Sequence, residues 1–229
     1  MGDFLLVKLN LALSCYFLTT TVLLTTPVQA LPNSPVNGEV KTLSSESSPQ
    51  LTLQDLPQGF ADLPGDVKAQ VILQLEGLRQ ILKIEKLSAD KVFAFIEPQK
   101  LQVVMGWTEN LLTQPQQTNF DENLQTLQSP KVLEQAIAQF KQQIQQVPGL
   151  ELAEYQLVPP VGEIGNTSAG MTMKLVMQGL PLRMDIKSFR RDRVAVVTAV
   201  AYLDQAKPAV SVLDVAKTLD TRIMEKGKR

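Results

Sequence analysis

The chain has 229 residues, enough for one domain together with its processing segments. Hydrophobic residues make up 44% and charged residues 20%, the balance of a folded globular domain. The net charge of -1 gives no overall field to draw in nucleic acid. There is no histidine and the single cysteine is Cys15, so a chain that loses its N-terminus has neither the usual Ser-His-Asp triad, nor a Cys-His pair, nor the common zinc ligands.

Residues 1–30 read as a secretory signal peptide. Lys8 precedes an apolar run from about Leu9 to Leu24, and "TTPVQA" ends in a small-residue exit with cleavage after Ala30. Asp3 weakens the charged start. The apolar run is nearly long enough to span a bilayer, so a retained anchor is the alternative. Residues 31–50, "LPNSPVNGEVKTLSSESSPQ", are rich in Ser, Pro and Asn and read as a disordered linker. The remainder, 51–229, is expected to form a single α+β domain.

Within that domain, turns at Pro57-Gln58-Gly59 and Pro64-Gly65-Asp66 lead to a helix over about 66–87, with Val67, Val71, Leu75, Leu78 and Leu82 on one face. Two strands follow, "KVFAFIE" and "KLQVVMGWT". In the second, Leu101, Val103, Met105 and Trp107 alternate with Gln102, Val104, Gly106 and Thr108, which puts Trp107 on a core face. Residues 114–128 are polar and glutamine-rich and read as an irregular crossing. Ser129-Pro130 opens a second helix, lined by Leu133, Ala136, Ile137, Phe140 and Ile144, that Pro148-Gly149 stops. A strand over 150–158 leads to the loop "PPVGEIGNTSAG".

Three strands then form an antiparallel meander. Met171, Met173, Leu175 and Met177 share one face, a turn falls at Gly179, and Leu182, Met184 and Ile186 share a face of the next strand. A charged turn at Arg190–Arg193 precedes Val194–Leu203, which is apolar on both faces. Ser211 and Asp214 form a capping box for a last helix with Val212, Val215, Ala216, Leu219 and Ile223 inward. The expected architecture is an antiparallel sheet of about six strands packed by three helices.

The charged turn is a basic cluster within the expected sheet. Arg190, Arg191 and Arg193, extended along the preceding strand by Arg183 and Lys187, form a candidate docking patch for an acidic partner. The bland alternative is a solvated hairpin tip. No dinucleotide fingerprint, P-loop or EF-hand spacing occurs, and no cofactor is expected. Asp55, Asp62 and Asp66 could meet in space to hold calcium, but oxygen ligands need a defined cage that nothing in the sequence supplies. Asn166-Thr167-Ser168 matches a glycosylation sequon by pattern alone. Aromatic residues are 5% and fall on apolar faces, which leaves no stacking platform for bases.

The exported leader, "LTLQDLPQGF", a helix and strand pair, "EIGNTSAGMTMKL", the hairpin "MDIKSFRRDRVAVVTAVAYL" and the helix "SVLDVAKTLDTRI" together resemble exported PsbP-like proteins of photosynthetic bacteria. The resemblance covers most of residues 51–226 and implies an α-β-α sandwich. It also implies a binding or assembly role beside a photosynthetic membrane complex rather than an enzyme, in a periplasm or thylakoid lumen. The histidine-dependent metal site associated with that family has no counterpart here. Two further readings stand beside it. One is a carrier of a small apolar ligand lined by Met171, Met173, Met177 and Met184. The other is a hydrolase that works with Ser, Lys or carboxylates.

Overall fold

The computed structural model describes residues 48–65, 68, 89–145, 148–158 and 164–227. The leader with Ala30, residues 31–47 of the linker, nearly all of the helix expected over 66–87 and residues 159–163 of the loop lie outside the described residues. The strands are β1 (Ala61–Asp62), β2 (Val92–Glu97), β3 (Gln102–Asn110), β4 (Leu150–Val158), β5 (Thr167–Met177), β6 (Leu180–Arg191) and β7 (Val194–Leu203). The helices are α1 (Gln114–Leu127), α2 (Pro130–Ile144) and α3 (Val212–Gly227). All strand pairs are antiparallel, and they form one seven-stranded sheet in the order β1-β2-β3-β7-β6-β5-β4.

The α+β class and the antiparallel sheet are as the sequence predicts, with one strand more than the six expected. The extra strand, β1, is two exposed residues paired with β2, too short to show periodicity. The stretch expected as an irregular crossing is helical instead. Thr113 caps α1, its hydroxyl accepting from the Gln116 amide at 3.4 Å while Gln116 returns a bond to the Thr113 amide at 3.1 Å. Only Phe120 and Leu124 of α1 are buried, so its apolar stripe is thin.

Helices cover both faces of the sheet. On one face Leu133 and Ile137 of α2 and Phe120 and Leu124 of α1 pack on Met105, Trp107, Met173, Ile186 and Val197. On the other, Val215, Ala216, Leu219 and Ile223 of α3 pack on Phe93, Phe95, Val104, Val196 and Val200, together with Leu51 and Leu56. β7 lies mid-sheet, and its alternating residues enter the two cores by turns, which is why it is apolar on both faces. Trp107 is fully buried, on the face its period predicts. Gly106 has no substitute there: a Cβ would lie 2.2 Å from the Val197 carbonyl and 2.6 Å from the Phe93 ring.

The meander has two-residue turns. Gln178 and Gly179 join β5 to β6, both with positive φ, as a tight hairpin twisting with its strands requires. Asp192 and Arg193 join β6 to β7, with Asp192 at φ 52, a conformation that Asp tolerates better than most side chains. β5 begins at Thr167, so the second half of the expected glycine loop is strand.

Candidate binding surface

Adjacent residues of a strand point to opposite faces, and this decides what the arginines do. Arg190 and Arg191 are the last residues of β6 rather than the turn itself. Arg190 points to the α1 face, where Nε meets Asp121 Oδ1 at 2.8 Å and Nη2 meets Oδ2; it also donates to the Asp192 carbonyl at 2.6 Å. Arg191 points to the α3 face and grips Asp220 through Nε and Nη2, both at 2.7 Å. Each is a fork-to-fork contact, the strongest form of arginine–carboxylate pairing. The two arginines therefore tie one helix from each layer to the same end of the hairpin. Asn166 closes that end, accepting from the Asp192 amide at 2.6 Å. Arg193 is exposed.

The five basic residues of the expected patch are thus not brought together as one surface. Arg183, Lys187 and Arg191 share the α3 face of β6, Arg190 lies on the other face, and Arg193 is in the turn. Asp121 and Asp204 hold the guanidinium groups of Arg190 and Arg183 above the usual arginine range.

The α3 face changes character across the sheet. Over β2, β3 and β7 it is apolar and lies under α3. Over β4, β5 and the stretch of β6 from Arg183 to Lys187 it is polar, whereas Phe189 and Arg191 at the end of β6 pack on and pair with α3. Cross-strand partners share a face, so Glu154, Lys174, Arg183 and Tyr202 form one row, and Gln156, Thr172, Asp185 and Val200 the next. A third row holds Val158, Gly170, Lys187, Thr198 and Gly106.

These groups bond to one another. Lys174 Nζ lies 3.0 Å from Glu154 and 4.0 Å from Asp204, and Arg183 Nε reaches Asp204 at 3.2 Å. Asp185 accepts from the Thr172 hydroxyl at 2.5 Å and from the Tyr202 hydroxyl at 2.7 Å. Burial, and then the bond to Asp185, push the Tyr202 phenol up to about 12. Lys187 differs from its neighbours. It is 5% exposed, with no hydrogen bond or ion pair among the described residues, and burial lowers its pKa.

The methionines occupy the opposite, α2 face. Met171 and Met173 line a cavity of about 40 Å³ with Leu133, Ile137, Phe140 and Ile186, and Met184 packs on the same core. That volume holds a water or two, far less than the roughly 150 Å³ that admits a benzene ring. Asp55 is engaged by Arg222 and by the Thr52 amide, and Asp66 lies outside the described residues. Among the described residues, no three Cys, Asp or Glu gather as a metal cluster, and no helix is long and apolar enough to cross a membrane. No family model matches the chain, and no curated protein matches it.

Proposed function

We propose that this chain is an exported, non-enzymatic binding or assembly module that docks on a membrane protein complex through the polar half of its α3-side sheet face. The observation that carries the reading is that face. Side chains from β4 to β7 bond across strands into a shallow platform, fixed before any partner arrives. A pre-ordered polar surface loses little side-chain freedom on docking, and its charges select a partner by complementarity. Catalysis calls instead for a cleft where reactive groups converge. The cavity under α2 is lined almost wholly by apolar side chains, Ser188 apart, and is too small to favour the carrier reading. Helices on both sheet faces support the kinship with exported PsbP-like proteins, and with it a periplasmic or lumenal location.

The test is a gentle pull-down of the tagged protein from native membranes, with mass spectrometry of bait and prey. The expected result is a reproducible membrane complex, with the bait beginning at Leu31. A double variant, Gln156→Arg with Val158→Asp, alters two exposed positions of the platform and should abolish capture while leaving the unfolding midpoint within about 2 °C. Capture of no reproducible complex would overturn the reading, and undiminished capture by the variant would move the docking site elsewhere.

A further inference from the structure

Among the described residues, the charges of the polar face meet internal partners, with one exception. Lys174 is answered by Glu154 and Asp204, Arg183 by Asp204, and Asp185 by two hydroxyls. Lys187 projects from the middle of β6 into the same face, between Gly170 on β5 and Thr198 on β7. Its stem lies against Gly170: a Cβ added there would fall 3.6 Å from Lys187 Cδ. The side chain is 5% exposed, yet no acid of the described residues bonds to it. Four described polar atoms are sealed without a partner, Ser48 Oγ, Trp107 Nε1, Thr108 Oγ1 and Glu109 Oε2. The Lys187 ammonium is not one of them.

An unpaired ammonium on a buried stem is costly to the fold and strongly attracts an anion, because little water competes for it. We propose that Lys187 is the anion-recognition point of this face, and that the group it takes is a carboxylate. A single positive charge matches a single negative one. A doubly charged phosphate would face Asp185, two residues along the same face of β6, with no second unpaired cation among the described residues of that face to offset the repulsion. The inference deepens the docking reading, since an acidic side chain of the bound protein is the carboxylate the face would meet.

Thermal unfolding of the mature protein in acetate against chloride at equal ionic strength tests the site without any partner. Acetate should raise the wild-type midpoint by about 2 °C or more at saturation, and a neutral side chain in Lys187→Met should abolish that response while leaving the variant at least as stable. Equal midpoints of the wild type in the two salts, or a Lys187→Met response matching the wild type, would overturn the proposal; the first comparison needs no variant to fold. The membrane pull-down then separates the two ideas. Prey lost with Lys187→Met assigns the carboxylate to the partner. Prey retained alongside an intact acetate response assigns the site to a free small carboxylate. An acetate response with no prey from the wild type upholds the anion site and removes the docking reading alone.

Discussion

Replacing Arg191 with Met leaves Asp220, 4% exposed, as a buried carboxylate without the guanidinium that faces it at two points. Removing one member of such a pair costs about 3 kcal/mol, most of it the stranded charge. Asp121 is more exposed, with 23% of its side chain accessible, so water can take over part of what Arg190 supplies. Arg190→Met should therefore cost less, about 1 kcal/mol. Urea unfolding of the two variants measures the difference, and Arg191→Met with Asp220→Leu should recover most of the larger loss, because an apolar pair strands no charge. Neutralising these arginines to test docking is thus inseparable from weakening the fold, contrary to what a solvated turn would allow.

Two other residues give the alkaline limb opposite slopes. Tyr202 has a folded pKa of about 12 against an ordinary 10, so its contribution is complete below pH 10 and is lost as pH rises through 12. Lys187 titrates lower in the folded state than its ordinary 10.5. Its buried charge therefore penalises the fold at neutral pH, and the penalty is relieved as pH rises through its folded pKa towards 10.5. Stability measured by urea midpoint should rise slightly below pH 10.5 in the wild type but not in Lys187→Met. Above pH 10 it should fall more steeply in the wild type than in Tyr202→Phe.

At the scale of elements, α1 depends on its ends more than on its face. With only Phe120 and Leu124 buried, the Thr113–Gln116 box carries a large share of the helix's local stability, and Thr113→Ala should lower global stability by about 1 kcal/mol in urea unfolding. The same weakness hides α1 in the sequence. A glutamine-rich stretch shows little amphipathic period, although "TQPQ" contains the cap, the early proline and the returning glutamine that mark a helix start. Where period and burial agree, the sequence is plain. β4 spans 150–158, β7 is apolar on both sides, and Ser211 and Asp214 bond reciprocally at the start of α3. The candidate site is much less legible. Arg190 and Arg191 look like one basic cluster in the chain, and only the strand's period of two sends them apart. Their partners lie 69 and 29 residues away, a separation that no local pattern encodes. The polar platform is likewise built from pairs across strands, whose register the sequence leaves open.

At the scale of the molecule, three layers are held at one end by β6 and at another place by α3. Arg222 of α3 donates to the Gln50 carbonyl at 2.6 Å and to Asp55, and so fastens the segment through which the chain enters the domain. Leu51 and Leu56 of that segment are buried against α3's core, so the entry is part of the fold rather than a loose end. Its own backbone bonds are few: one 3-10 turn, with the Asp55 amide on Thr52 and the Leu56 amide on Leu53. A short segment with so few bonds opens locally, at a free energy set by its side-chain anchors rather than by global unfolding. Arg222→Ala should therefore speed hydrogen exchange at Asp55 and Leu56 by about tenfold, the equivalent of 1.4 kcal/mol, while amides of β3 and β7 at mid-sheet keep their rates. Equal acceleration at mid-sheet would make the entry segment one cooperative unit with the sheet. Acceleration at the entry alone would show that residues 50–56 open with both cores intact.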